Sequence, residues 1–209
     1  MPTRTISELE KDILKELMNI ILAKAGDSFA KISKEPVIIN VPDLHMVNKE
    51  TALTELFDNR EIEVIVQSEI KGDIYAHSLI IFSQDQINLF ENACLRNLKI
   101  TKAIRESLLL EISNIVTGTL VSHIADILNF NIYGSVPNAP VYKENLKEKD
   151  LLLDLDLTRP VLFTVNALFQ TSENKVSIPL ILIFDVPNLE KVIERVRKIN
   201  KDEFRLFKR

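Results

Sequence analysis

Residues 13–47 (ILKELMNIILAKAGDSFAKISKEPVIINVPDLHMV) align without a gap to residues 108–142 (LLLEISNIVTGTLVSHIADILNFNIYGSVPNAPVY), at an offset of 95. Identities include Glu16/Glu111, Asn19/Asn114, Ile20/Ile115, Ala30/Ala125, Ile32/Ile127, Val41/Val136 and Pro42/Pro137. Chance would give about two over such a stretch, and most other columns keep apolar character. The likeness continues downstream with a shifted offset. IEVIVQSEI and DIYAHSLIIF (62–70 and 73–82) read as a hairpin turning at Lys71-Gly72. Their counterparts, PVLFTVNALF and VSIPLILIF (160–169 and 176–184), read as a second hairpin turning at TSENK. A helical segment comes after each, at roughly 84–98 and 187–200. Duplication of this kind restricts the fold, because equivalent halves must bury equivalent faces.

Each half therefore reads as a long helix, a short strand, a hairpin and a closing helix. In the first long helix Ile13, Leu17, Ile20, Ala25, Phe29 and Ile32 recur at helical spacing. In the second, Ile112, Ile115, Leu120, Ile124 and Leu128 do the same. Each stripe needs a partner, and the apolar faces of the hairpins supply one. The expected fold is α+β with a pseudo-two-fold internal repeat: two long helices layered on a largely antiparallel β-sheet shared by both halves. We expect a single domain over 1–209, with halves at approximately 7–99 and 100–200. The charged KENLKEKD stretch, within the extra length at 143–157, reads as a solvated connection.

Composition narrows the function. Net charge is −4 and the pI is about 5.5, which argues against a nucleic-acid partner, since that contact needs a basic surface. Cys94 is the sole cysteine, so no intrachain disulfide is expected. His45, His77 and His123 are far apart and show no zinc spacing, so no metal site is expected. The start, MPTRTISELEKDILKEL, lacks a secretory apolar core. The longest apolar run, 178–184, is far short of a membrane span. The expectation is a cytoplasmic protein with no membrane contact.

Glu16 and Asn19 are three apart on one helix and emerge on one face; Glu111 and Asn114 repeat this on the other. A single E-x-x-N is a weak motif. Two of them in one column of a repeat are informative. One turn beyond each Asn sits a small residue, Ala23 or Gly118. Gly inside a helix costs about 1 kcal/mol relative to Ala, so Gly118 needs a reason. It either leaves a low spot for another protein's backbone or permits tight packing against the chain's own sheet or the other helix.

These residues resemble the CheC–CheX–FliY family of chemotaxis phosphatases. The family pattern, E-x-x-N-I with small residues after it and a strand ending near V-P, is matched by ELMNIILAKAG…VIINVP and by EISNIVTGT…YGSVP. GDIYAHSLIIF is similar to the family's glycine-marked hairpin, so the likeness runs over nearly the whole chain. Ile21-Leu22 departs from it, since such proteins usually carry small residues there. Flagellar-switch members carry a further C-terminal domain, and none is expected within these 209 residues.

The resemblance implies one CheC-like phosphatase domain whose substrate is a CheY-like receiver phosphorylated on aspartate. It implies no cofactor of the chain's own, the receiver supplying its own Mg²⁺. Glu16, Asn19, Glu111 and Asn114 would be the catalytic set. An Asn amide can orient a water but cannot act as a base near neutral pH. By resemblance each Glu would pair with the receiver's active-site lysine, with general-base action as the competing role. A non-catalytic adaptor binding the receptor deamidase CheD, or a receiver, is the alternative. A small-molecule enzyme is disfavoured, because no Gly-rich phosphate loop or nucleophile–base motif is visible. Two halves completing one sheet suggest a monomer. Leu22 and Ala23, where the second site has Thr117 and Gly118, suggest a more crowded first site.

Overall fold

The computed structural model describes residues 7–33, 37–40, 44–48, 62–95, 98–145, 160–170 and 175–198. The long helices are α1 (Glu8–Ser33) and α3 (Lys102–Leu128). The first hairpin is β3 (Val64–Gly72) and β4 (Ala76–Phe82), closed by α2 (Gln84–Cys94). The second is β7 (Pro160–Gln170) and β8 (Lys175–Asp185), closed by α4 (Val186–Lys198). Short strands come after each long helix: β1 (Ile38–Asn40) and β2 (Leu44–Asn48), then β5 (Ile132–Gly134) and β6 (Val141–Tyr142).

The eight strands among the described residues join one antiparallel sheet, in the order β1-β7-β8-β4-β3-β5, with β2 also on β7 and β6 also on β3. The expected α+β fold with a shared sheet is what forms. The pairing adds a feature absent from the sequence reading: the halves exchange strands. β1 and β2, from the first half, pair with β7 of the second, while β5 and β6 pair with β3 of the first. The hairpins meet at β4–β8, where Leu79 faces Ile181 and Ile80 faces Leu180.

Local signals set the helix ends. Ser83 and Gln86 form a capping box at α2, with the Ser83 N–H donating to Gln86 Oε1 at 2.7 Å. Thr101 caps α3, and Asn129 ends it in the left-handed region at φ 53°. The first hairpin turns at Asp73–Tyr75 rather than Lys71-Gly72, for β3 runs through Gly72. Gly72 has φ 122°, and a side chain there would overlap the Asn131 carbonyl oxygen.

The core lies between the long helices and one sheet face. Leu17, Ile21, Leu22 and Ala25 of α1 meet Leu109, Ile112 and Leu120 of α3 and Val66, Ile80, Phe82 and Leu182 of the sheet in one buried cluster. The predicted stripes are partly out of phase with it. Ile13 and Ile115 are only half-buried, as is Ile20, while Leu14, Met18 and Val116 take the buried positions. Long apolar helices carry more hydrophobes than one face needs, so spacing alone left the phase open. The side chains of Phe29 and Ile32 lie outside the described residues, as do the TSENK turn's residues 171–174 and residues 146–157 of the predicted loop. Residues 143–145 form a single 3-10 turn. By length and composition α3 could cross a bilayer, but half of its apolar window is buried within the fold.

Two ion pairs tie the closing helices to the long ones. Arg105 Nε–H of α3 donates to Glu91 Oε1 of α2 at 2.5 Å. Arg197 of α4 pairs with Glu10 of α1, linking the last described helix to the first. Glu10 and Arg105 occupy one repeat column, so the tie recurs with its charges exchanged. Arg197 and the Ser7 backbone N–H hold the Glu10 carboxyl down to about 2. A lowered carboxyl stabilises the fold above its unfolded value, near 4.5, and loses that contribution as pH falls towards 2. Arg197→Ala is expected to cost about 1–3 kcal/mol at pH 7. In thermal melts the gap from wild type should close between those two pH values; a gap independent of pH would contradict the assignment.

Candidate active site on the two long helices

The side chains that face the sheet along α3 include Ile112, Ser113, Val116 and Thr117. That packing turns the opposite stripe outward, and Glu111, Asn114 and Gly118 are all exposed on it. On α1 the inward set is Leu17, Met18, Ile21 and Leu22, while Glu16 and Asn19 are half-buried and Ala23 is exposed. Both motifs thus present Glu and Asn away from the core, as their spacing required. The second is the more open of the two.

The expected source of crowding at the first site does not hold. Leu22 is fully buried and Thr117 nearly so; this column points into the core in both copies and cannot obstruct a partner. Ala23 against Gly118 is the comparison that bears on access. Among the described residues, a Cβ added to Gly118 would meet nothing within 4 Å. The glycine is therefore not explained by packing against this chain's own sheet or helix. It leaves open space beside Asn114.

That space is part of a groove of about 330 Å³ between α3 and the β5 edge. Asn114, Gly118, Ser122 and Asp126 contribute from the helix, and Tyr133, Gly134 and Ser135 from the strand side. A reciprocal exchange of size shapes the two copies. In the first, a Cβ on helical Gly26 would lie 2.7 Å from the Val37 carbonyl oxygen and 3.6 Å from Ile39 Cγ1. In the second, the helix carries Val121 and the strand carries Gly134, whose added Cβ would lie 3.6 Å from Val121 Cγ2. Columns 26/121 and 39/134 share the offset of 95, so small meets large in both, with the roles reversed.

Beneath the second motif lies a polar seam. Ser78 Oγ and Thr117 Oγ1 are 3.0 Å apart and buried. Ser68 pairs across the strands with Ser78, and the Ser68 and Ser113 hydroxyls are buried without a partner among the described residues. The first copy has Met18 and Leu22 where α3 has Ser113 and Thr117. Sequence reasoning missed this asymmetry and the groove; hydroxyls in otherwise apolar repeat columns were the available signal.

His77 and His123 do not join the motifs. Burial pushes His77 below the ordinary imidazole value; its Nδ1 lies 3.1 Å from Gln67 Nε2, and its ring stands edge-on to Tyr75. His123 Nδ1 lies 2.9 Å from the Thr119 carbonyl of its own helix. The His45 side chain lies outside the described residues. Among the described residues, no group of three His, Cys, Asp or Glu side chains converges. The arrangement offers a carboxylate and an amide on one helical face, twice, suited to docking and to orienting a small polar species.

The profile of the CheC-like family matches the chain at residues 9–46 and again at 104–139, once over each motif helix and the short strand segment after it. At these two segments the chain is similar to the CheC-like family. Solved structures give the same fold. FliY of Thermotoga maritima superposes with a TM-score of 0.74 at 15% identity, over 93% of this chain and 98% of that one. A chain of the FliG–FliM complex of H. pylori gives 0.66 at 10% identity, over 90% and 100%. The chemotaxis protein CheX of Desulfovibrio desulfuricans gives 0.51 at 8% identity, over 81% and 99%. With these structures the chain shares its fold. Its doubled motif lies within the two matched segments.

Proposed function

We propose that this chain is a cytoplasmic phosphatase that hydrolyses the aspartyl phosphate of a CheY-type receiver domain. The observation that carries the reading is the recurrence of an outward-facing Glu and Asn in one repeat column of α1 and α3, the second pair opening on a groove. An aspartyl phosphate is an acyl phosphate and already reactive. With Mg²⁺ held by the receiver, the phosphatase need only place a water in line with the breaking P–O bond.

Asn19 and Asn114 supply that placement. The amide oxygen accepts a hydrogen bond from the water while the amide nitrogen donates to a neighbour. The water's oxygen attacks phosphorus, the aspartate carboxylate leaves, and inorganic phosphate is released. Glu16 and Glu111 dock the receiver by pairing with its active-site lysine. No cofactor of this chain's own is called upon, and a monomer suffices.

Release of phosphate from a magnesium-loaded phosphoreceiver, monitored with and without the protein, tests the reading. Glu→Gln at either position tests the roles. Docking predicts a KM raised about tenfold at that site with kcat little changed, and added salt reproducing part of the loss. A general base predicts the reverse, a lowered kcat at unchanged KM. Tight, essential zinc, iron or manganese in this chain would overturn the mechanism. The fold shared with a chain of the FliG–FliM complex favours a second reading, a docking module for a receiver or for CheD. Stable binding without phosphate release would identify it.

A further inference from the structure

Beyond Asn114, the outward stripe of α3 continues at helical spacing through Gly118 and Ser122 to Asp126. All four residues are exposed, and all four line the groove against β5. Asn114 and Asp126 are twelve positions apart, which places them about 18 Å apart along the helix. A standard protein interface buries about 800 Å² on each side, so a partner seated on Asn114 with ordinary contact area reaches Asp126. Among the described residues, no hydrogen bond or ion pair occupies the Asp126 carboxylate.

The repeat supplies an internal comparison. The equivalent stripe on α1 is Asn19, Ala23, Asp27 and Lys31, and the last three are exposed. The two motifs are the same at their Glu and Asn, yet the column holding Asp126 in one copy holds Lys31 in the other. The column before it holds Ser122 in one and Asp27 in the other. Charge is thus kept where the chemistry is proposed and inverted three turns away. Exposed charges at the rim of an interface act chiefly on partner choice, association rate and salt dependence.

We infer that Asp126 and Lys31 are specificity-determining residues that make the two sites select different receiver surfaces. The second site favours a receiver carrying a basic side chain where it overlies the Asp126 end of the groove. The first favours an acidic side chain at that place. The inference rests on the phosphatase reading and assigns each site its own substrate preference.

Each site is isolated by removing the other's Asn. In an Asn19→Ala background, a CheY-type receiver phosphorylated with acetyl phosphate in Mg²⁺ is titrated against the chain with Asp126, Asp126→Asn or Asp126→Lys. The KM is expected to rise in that order, by about fivefold or more for Asp126→Lys at low salt. The kcat should stay within about twofold, and 0.5 M salt should remove most of the difference. In an Asn114→Ala background, Lys31→Asp on the same receiver should move KM in the opposite direction. Unchanged KM for both substitutions, or a fall in kcat alone, overturns the specificity assignment and leaves the water-positioning reading intact. Binding of the receiver without phosphate release overturns the phosphatase reading; the assignment then stands only if Asp126→Lys weakens that binding about fivefold. Neither binding nor release by the wild-type chain overturns both.

Discussion

The Asn19→Ala/Asn114→Ala double variant is expected to lose all acceleration of receiver dephosphorylation while keeping its fold. Groups that position a reactant or stabilise its transition state contribute typically about 10²–10³ in rate, or roughly 3–4 kcal/mol. A chain with no other proposed water-orienting group should fall by that factor when both amides go. Each single variant should retain the other site. Asn114→Ala should cost more than Asn19→Ala, because Asn114 is exposed beside the open Gly118 and the groove, whereas Asn19 is half-buried and followed by Ala23. The bulk of Leu22 plays no part in this ranking, because Leu22 is in the core. Neither Asn is in the core, so the fold should survive Ala at either helical position, and at the exposed Asn114 the change should be neutral or mildly stabilising. Circular dichroism and melting temperature check this before rates are compared. Equal single-variant rates would show that groove access does not rank the sites.

The second large effect is on stability, and the two helical glycines should move it in opposite directions. At Gly26 a methyl group would lie 2.7 Å from the Val37 carbonyl oxygen, a backbone atom that cannot swing aside. Gly26→Ala forces the α1–β1 junction apart, at a cost of about 1–3 kcal/mol that outweighs the helix-propensity gain; Gly26→Val should cost more. Gly118→Ala meets open space and should gain about 0.5–1 kcal/mol. At this size each kcal/mol shifts Tm by about 2–4 °C, so the pair separates clearly in a melt. The comparison also links stability to function: Gly118 gives up helix stability for the open floor of the groove, while Gly26 is required by packing. A stabilising Gly26→Ala would show that β1 does not sit against α1 as described.

How far the sequence carried differed by feature. The repeat was legible because Glu, Asn and apolar columns recur at one offset, and with it came the two long helices, the hairpins and the antiparallel sheet. The faces of Glu111 and Asn114 came directly from helical spacing. The exchange of β1 and β2 for β5 and β6 between halves was not legible, since residues such as Ile38 and Ile132 carry no mark of which hairpin they join. The groove was hidden for a related reason. It exists because Gly118 faces nothing among the described residues and Gly134 meets Val121, and both are facts about neighbours distant in sequence. Helix phase was misjudged at Ile13, Ile20 and Ile115 because α1 and α3 hold more apolar residues than one face can bury. The Asp126/Lys31 inversion stands in the aligned repeat, but it gains meaning only because Asp126 lies in the same groove as Asn114.

The central claim is that the doubled Glu–Asn pair hydrolyses a receiver's aspartyl phosphate. The most direct measurement is phosphate release from one CheY-type phosphoreceiver in Mg²⁺, comparing no addition, wild-type protein and the folded Asn19→Ala/Asn114→Ala variant. The account predicts that wild type speeds release about a hundredfold or more and that the double variant leaves it at the spontaneous rate. A folded double variant that matches wild type would make both pairs ordinary helix surface and contradict the mechanism.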